Sequence, residues 1–392
     1  MVTEDTKQNL EPDPPAAPPA ERRSAVDAAP PTPGSQRLLC LDALRGLTIA
    51  AMLLVNNVSL DTATPVQLTH APWNGGVRLA DFVFPWFLFC VGVAIPFSMA
   101  AAKRRNTPAW RTDLRILQRG ATLVALGCLI ESSFAKRPVF ALGVLQIIGL
   151  AYVVGALLYE LPASRRILIS AVILAGYWAA LKLVPFPGAA PGVFEEGRNF
   201  VRHINDAYLR PVGLAGLPSV APTSALVLIA TVVGDALRAK GRSPAWKIGV
   251  LAAVGALLTL SGVLWAHSLG YNKAVWTPSY ILLMAGSGSL MLGGLYAVMD
   301  AGGIKAWAYP LLVFGSNAIV AYVAPILVKA FMLQEWRMWT PHGRIPVQDW
   351  LLSVCVQRAG RVGGGWAYTV GYIGFWWCVL WLLYRKKVFL RV

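Results

Sequence analysis

The sequence predicts an all-α polytopic membrane protein, a bundle of about ten transmembrane helices. Hydrophobic residues make up 56% of the 392-residue chain and charged residues only 14%, whereas charged residues account for about a quarter of a typical soluble domain. The apolar residues are gathered into segments long enough to cross the roughly 30 Å hydrocarbon core of a bilayer. The net charge of +16 comes from short basic clusters between those segments, without the basic stripe typical of nucleic-acid binding. We therefore predict contact with membrane lipid and none with nucleic acid.

The chain divides into a tail and a membrane domain. Residues 1–36 are rich in Pro and Ala and poor in large apolar side chains, which predicts a disordered cytoplasmic tail. No basic region followed by an apolar core lies near residue 1, so the first apolar segment is predicted to be a retained anchor. Residues 37–392 form the predicted membrane domain. Its apolar segments are 38–59, 79–101, 114–133, 139–160, 166–185, 222–238, 246–267, 276–299, 307–328 and 366–384. Residues 346–358 are too short to span and are interpreted as an interfacial or re-entrant piece.

The distribution of Lys and Arg predicts the orientation of the bundle. With the N-terminus in the cytoplasm, the inner side collects about 21 of these residues and the outer side about 11, which is the asymmetry expected of cytoplasmic loops. Both termini are then cytoplasmic and the number of spans is even. On this topology His70 lies at the outer face, in the loop between the first two helices.

The first apolar segment carries polar residues near both of its ends. Asp42 and Arg45 are three residues apart, so they share one helical face and can pair near the inner end. They indicate either an orienting ion pair or a site where Arg45 meets an anionic ligand, with Gly46 allowing close approach to the backbone. Asn56 and Asn57 lie about 15 Å further along the helix. They fit either hydrogen bonds between helices or a pair of oxyanion donors.

The loop after this segment reads "HAPWNGG" and holds one of the four histidines of the chain, His70. Trp73 suits stacking on a sugar or an adenine, and Asn74 supplies amide contacts. Asp81 follows at the start of the next apolar segment. A lone histidine is most often a surface or core residue, but an imidazole with a carboxylate in reach is typical of a general base.

A second polar stretch, "NKAVWTPS", begins a helix on the outer side. Its lysine is either an interface anchor or part of a pocket opposite His70. The residues that could line such a pocket are Asn272, Lys273, Trp276, Thr277 and Ser279. His203 lies in an outer loop that resembles a surface helix. The five cysteines are scattered, and no histidine has a carboxylate or a cysteine at ligand spacing, so no metal site is predicted.

Several sequence blocks together resemble one known family. "LDALRGLTIAAMLLVNN", "HAPWNG" and "LADFVFPWFLFCVGVAIPFS" follow one another, and "VLQIIGLAY", "YNKAVWTPSYILLMAG" and "FGSNAIVAY" come later. Their content and order are similar to the heparan-α-glucosaminide N-acetyltransferase family of membrane acyltransferases and its bacterial relatives. Two departures from the family pattern, the extra Gly and the Arg of "NGGVRLAD" and the stretch "VAPTSALV", leave the acceptor open.

The resemblance implies an acyltransferase domain over residues 37–392. It would take the acetyl group of cytoplasmic acetyl-CoA and deliver it to an amino sugar or a sugar hydroxyl on the outer side, in a bacterial inner membrane. The residues then divide into three sets: catalytic His70, Asn56 and Asp81; acetyl-CoA-binding Asp42, Arg45 and Asn317; and acceptor-binding Asn57, Trp73, Asn74, Asn272, Lys273, Trp276 and Ser279. His70 would be the general base or a transient acetyl carrier.

Two other functional classes fit the same residues. In an amino-sugar transporter without transferase activity, His70 and Asp81 would bind the sugar or relay protons. A non-catalytic membrane scaffold would not need polar residues concentrated around one loop. Many transporters have repeated halves, and the lack of such a repeat in this sequence favours the enzyme. The acceptor, N- versus O-acetylation, direct transfer versus a ping-pong mechanism, and homodimer formation stay open at this point.

Overall fold

The fold is an array of helices with short hairpins, seen in a computed structural model that describes residues 38–341 and 343–390. The predicted disordered tail, residues 1–36, lies outside these residues. The helices are α1 (Leu39–Asn57), α2 (Leu79–Arg104), α3 (Ala109–Ala135), α4 (Val144–Leu157), α5 (Ala163–Leu183), α6 (Phe200–Ile204), α7 (Val220–Arg238), α8 (Pro244–Ala266), α9 (Pro278–Leu295), α10 (Tyr309–Ser316), α11 (Ala318–Val328) and α12 (Val347–Arg385). The strands pair as antiparallel hairpins, β1 (Phe194–Glu195) with β2 (Arg198–Asn199) and β3 (Arg337–Thr340) with β4 (Gly343–Pro346).

Every predicted apolar segment coincides with a helix, which confirms an all-α membrane protein. Within the described ranges, seven helices are long and apolar enough to cross a bilayer: α1, α2, α5, α7, α8, α9 and α12. The pair α10 and α11 is bent by 65° and would make an eighth span. Helix α4 has 14 residues and is about 21 Å long, while α3 carries charged residues along its first turns. The count of ten therefore stays a prediction.

The short segment 346–358 forms the first part of α12. The helix breaks at Gly360, whose φ of 71° and ψ of 172° are not helical. Such a φ lies in the left-handed region, which favours glycine because other residues carry a Cβ that clashes there. The break separates this short piece from the apolar second part of α12. This agrees with the predicted short segment that precedes the last span.

The loops that hold the predicted site residues meet at one end of the bundle. Asn272 Nδ2, between α8 and α9, donates a hydrogen bond to the main-chain oxygen of Trp73, between α1 and α2, at 2.9 Å. Trp73 Nε1 in turn donates to the oxygen of Phe194 in β1 at 3.3 Å. Below these loops, buried side chains of α2, α7 and α9 form the centre of the core, with Phe89 and Tyr280 fully buried.

Helices α1 and α10 touch through their backbones at a pair of glycines. A Cβ on Gly46 would lie 1.8 Å from the main-chain oxygen of Leu311, and a Cβ on Gly315 would lie 2.1 Å from that of Asp42. Small residues allow such close contact between membrane helices, where packing contributes much of the stability. The sequence interpretation gave Gly46 a close approach to a ligand. The structure corrects this interpretation, because the backbone of α10 occupies that position.

Replacing Gly46 by Ala is expected to destabilise the protein by about 3 kcal/mol, because the added methyl group forces α1 away from α10. The thermal unfolding midpoint of the purified full-length protein in detergent should fall. Gly176→Ala is the matched control, since Gly176 lies in α5 with no heavy atom within 4 Å of the added Cβ. Alanine is a better helix former than glycine, so this control should keep its midpoint or gain slightly. Equal midpoints for the two variants would contradict the contact.

Candidate active site

The loop between α1 and α2 is held on the first turn of α2 by Asp81. Its Oδ2 accepts hydrogen bonds from the main-chain N–H groups of Arg78, at 3.0 Å, and Ala71, at 3.1 Å. Arg78 also braces the loop, since its Nη1 donates to Thr69 Oγ1 at 2.6 Å and to the main-chain oxygen of His70 at 3.0 Å. A carboxylate at a helix N-terminus is further favoured by the helix dipole. The loop and the carboxylate thus fix each other in place.

His70, Asp81 and Lys273 contact one another above this helix turn. His70 Nδ1 lies 2.8 Å from Asp81 Oδ1. Lys273 Nζ lies 3.1 Å from the same ring nitrogen and 3.7 Å from Asp81 Oδ1. The Asp81 side chain is 2% exposed and that of His70 is 56% exposed. When Nδ1–H donates to the buried carboxylate, the imidazole lone pair is on Nε2, which lies 3.5 Å from Lys273 Nζ on a side chain that is more than half exposed.

Lys273 is presented by a compact turn between α8 and α9. Asn272 holds this turn, because its Oδ1 accepts from the N–H of Ala274 at 2.9 Å and its own N–H donates to Thr277 Oγ1 at 3.0 Å. Trp276 has a φ of 54°, a left-handed conformation that is costly for a bulky residue. Burial lowers the pKa of the Lys273 ammonium group, and the nearby Asp81 carboxylate partly offsets this effect.

A cavity of about 500 Å³ opens beside these three side chains. Six of the predicted site residues line it: His70, Trp73, Asp81, Asn272, Lys273 and Trp276. The sequence interpretation missed further lining residues: Phe84, Leu142, Val144, Ile147 and Glu196. Val144 and Ile147 belong to the block "VLQIIGLAY", whose resemblance to the family could have indicated that they lie near the site. Glu196 had no such signal, because its loop was interpreted as a surface element.

Three predicted acceptor-binding residues, Asn57, Asn74 and Ser279, do not line this cavity. Asn74 is exposed on the loop surface. Ser279 is fully buried at the start of α9, where its Oγ donates to the main-chain oxygen of Leu269 at 2.7 Å. Its hydroxyl therefore stabilises the turn that carries Lys273. Tyr280, the next residue, donates its phenol hydrogen to the main-chain oxygen of Asp81 at 2.5 Å.

Asn56 and Asn57 lie in a second cavity of about 380 Å³. Asn57 Nδ2 donates to the main-chain oxygen of Leu53 at 2.8 Å, and its Oδ1 accepts from Lys329 Nζ at 3.2 Å. Val144, at the start of α4, lines both cavities. The asparagine pair and His70 therefore line different cavities.

The three predicted acetyl-CoA-binding residues are away from the cavity of His70. Asp42 and Arg45 form the predicted pair, with Arg45 Nη1 3.2 Å from Asp42 Oδ1, near the start of α1. Asn317 is fully buried at the break between α10 and α11. Its amide donates to the oxygen of Val388 at 3.0 Å and accepts from the N–H of Leu390 at 2.9 Å, so it holds the segment after α12. Across residues 38–341 and 343–390, no group of three His, Cys, Asp or Glu side chains could hold a metal ion.

Comparisons with known proteins bear on what this cavity does. Residues 37–203 match the family model described as heparan-alpha-glucosaminide N-acetyltransferase, catalytic. The resemblance to that family is confirmed. The human heparan-alpha-glucosaminide N-acetyltransferase is 23% identical over 94% of this chain, and the mouse protein of the same name is 22% identical over 91%. The chain spans 61% of the length of each of these heparan-alpha-glucosaminide N-acetyltransferases. The matched residues include His70, Asp81 and Glu196, whereas Lys273 lies beyond them.

Proposed function

We propose that the protein is a membrane-embedded acetyltransferase that moves the acetyl group of cytoplasmic acetyl-CoA to an amino sugar or sugar hydroxyl at the outer face. The observation that supports this most is the contact of His70 with Asp81 and Lys273 at the wall of a cavity large enough for a sugar. The names of the relatives add the reaction class. The excess of basic residues in the loops predicted to be cytoplasmic supports an orientation with both termini cytoplasmic, and ten spans is the number that the sequence predicts. A bacterial inner membrane suits a protein with this orientation.

Acetyl transfer requires a base, a nucleophile and a means of stabilising an oxyanion. In the direct mechanism, His70 Nε2 removes a proton from the acceptor nitrogen or oxygen, which attacks the thioester carbon. The C–S bond then breaks, and the imidazolium returns the proton to the CoA thiolate. In the ping-pong mechanism, Nε2 itself takes the acetyl group before the acceptor arrives. In both, Asp81 orients the ring and the Lys273 ammonium stabilises the oxyanion.

The remaining predicted residues bind the substrates. Arg45, paired with Asp42 near the cytoplasmic end, attracts the CoA phosphates. Asn56 and Asn57 line the neighbouring cavity, where their amides offer hydrogen bonds to a substrate. Trp73 and Trp276 supply aromatic surface for the sugar ring.

The experiment that tests this function uses the full-length protein in sealed proteoliposomes with acetyl-CoA inside and glucosamine or related sugars outside. Acetylated sugar should appear outside while free CoA thiol accumulates inside, and both should require the acceptor. Omission of acetyl-CoA is the control. Uptake of unmodified sugar without acetyl-CoA, together with no thiol release for any sugar, would overturn the proposal and support an amino-sugar transporter.

The pH dependence of the transfer rate should show whether the charge of the Lys273 ammonium group contributes to the reaction. Because burial lowers the pKa of its ammonium group, Lys273 loses its proton at a lower pH than an ordinary lysine, whose pKa is about 10.4. As pH rises through this lowered pKa, the oxyanion loses its stabilising charge and the rate falls. In Lys273→Arg the alkaline fall should disappear, since guanidinium stays charged. In Lys273→Met the rate should be about 100-fold lower at neutral pH. An unchanged profile in Lys273→Arg would contradict this role.

A further inference from the structure

Glu196 is a carboxylate at the rim of the His70 cavity that acetyl transfer, as described above, does not use. It occupies the turn between β1 and β2 and lines the cavity. The hairpin is fixed over the cavity by Trp73, whose Nε1 donates to the main-chain oxygen of Phe194 at 3.3 Å and whose ring centroid lies 5.0 Å from that of Phe194. Buried Asn199 closes the hairpin by donating from Nδ2 to the oxygen of Glu195 at 3.0 Å. The position of Glu196 is therefore set by the same loop that carries His70.

Glu196 and Asp81 differ in the groups that contact their carboxylates. The Asp81 oxygens contact two main-chain N–H groups, the imidazole of His70 and the ammonium of Lys273. In the part of the chain that the structure describes, the Glu196 carboxylate has no hydrogen bond or ion pair, and the side chain is exposed. Arg198 lies two residues away, but its guanidinium donates to the main-chain oxygen of Gly188 instead. Glu196 thus presents an unneutralised negative charge to whatever enters the cavity.

From this arrangement we propose that Glu196 binds the ammonium group of a cationic amino sugar and so selects it over neutral sugars. The inference rests on the acetyltransferase function proposed above and specifies its acceptor as an amine. An exposed carboxylate attracts a cation and forms charge-assisted hydrogen bonds with it. A neutral hydroxyl would gain only an ordinary hydrogen bond, and an anionic sugar would be repelled.

The reaction with such an acceptor balances in protons and bonds. The ammonium form docks against Glu196 and loses one proton to water before it reacts. The neutral amine then attacks the acetyl carbon, the N–C bond forms and the thioester C–S bond breaks. The second proton passes through His70 Nε2 to the CoA thiolate. The products are the N-acetylated sugar, CoA thiol and one proton.

Glu196→Gln tests this selection in the full-length protein in nanodiscs, with glucosamine and glucose as the probes. The KM for glucosamine should rise by roughly 3- to 5-fold, the size of an exposed ion pair, with kcat within about twofold of the wild type. Glu196→Asp should restore part of the loss. Glu195→Gln is the matched control, because Glu195 is also exposed and adjacent but does not line the cavity, and its KM should be unchanged.

The outcomes separate this inference from the function on which it rests. Wild-type transfer to glucosamine with the same KM in Glu196→Gln, or equal KM values for glucose and glucosamine, would overturn the role of Glu196 and leave the acetyltransferase intact. Direct calorimetric titration with glucosamine provides a readout that needs no turnover. Binding weakened by Glu196→Gln without any acetyl transfer would retain cation recognition and refute the transferase. An equal rise in KM in Glu195→Gln would show that the effect comes from general surface charge, and it would overturn the proposal.

Discussion

Replacing His70 by Ala is expected to lower acetyl transfer by about 10³-fold, the size of a general-base contribution. The variant loses the only imidazole that lines the cavity in the described part of the chain, while the buried Asp81 still caps α2 through the N–H groups of Arg78 and Ala71. The fold should therefore survive. Binding of acetyl-CoA, measured by calorimetry, should stay within about twofold of the wild type, because the phosphate-binding region proposed around Arg45 is at the other end of α1.

The matched control for His70→Ala is His267→Ala. His267 caps the C-terminus of α8 on the same side of the bundle and is exposed, so its removal changes the histidine content without touching the cavity. Transfer by this control should equal that of the wild type. Full activity in His70→Ala would show that His70 takes no part in the reaction. Mass spectrometry of wild-type protein incubated with acetyl-CoA alone also separates the two mechanisms, since an acetyl group on His70 requires the ping-pong route.

The helices and the first part of the site could be predicted because their signals are local. Apolar segment length fixes the positions of the helices, and His70, Trp73 and Asp81 lie within 12 residues of one another around a single helix start. A carboxylate three residues into a helix caps it, so proximity of Asp81 to the preceding loop follows from the sequence. Lys273, 203 residues away from His70, was a candidate because its stretch begins a helix on the predicted outer side, and the sequence left it open between an interface anchor and a pocket residue.

The parts of the site that could not be predicted depend on contacts between distant segments. Arg166 shows the same limit in the fold: it is one of the basic residues that the charge distribution assigns to the cytoplasmic loops. In the structure it is 4% exposed and its Nη2 lies 2.5 Å from Asp235 Oδ2, with Nη1 bonded to Thr231. Likewise Asn317, predicted to bind acetyl-CoA, uses its amide to bind the chain after α12. The packing of distant segments decides which polar groups are hydrogen-bonded, and a single sequence does not show that packing.

Asp81→Asn is expected to reduce transfer by about 10³- to 10⁴-fold through the tautomer of His70, although the substitution changes a single atom. The carbonyl oxygen of the new amide can still accept from the N–H groups of Arg78 and Ala71, as Oδ2 does now. Its NH₂ group then faces His70 Nδ1 in place of Oδ1 and donates to it. The imidazole must present its lone pair at Nδ1 and carry its hydrogen on Nε2, so the nitrogen that faces the cavity is no longer a base.

The kinetic pattern distinguishes this positioning role of Asp81 from a structural one. In Asp81→Asn, kcat should fall while the KM values and the thermal unfolding midpoint stay close to those of the wild type, because the cap of α2 is retained. In Asp81→Ala the cap is lost as well, and the midpoint should fall by an amount corresponding to about 1 kcal/mol. Lys273 loses its counter-charge in both variants, which lowers the pKa of its ammonium further and moves the alkaline fall in rate to lower pH. A stable Asp81→Asn protein with wild-type kcat would show that the carboxylate caps the helix and does nothing for the imidazole.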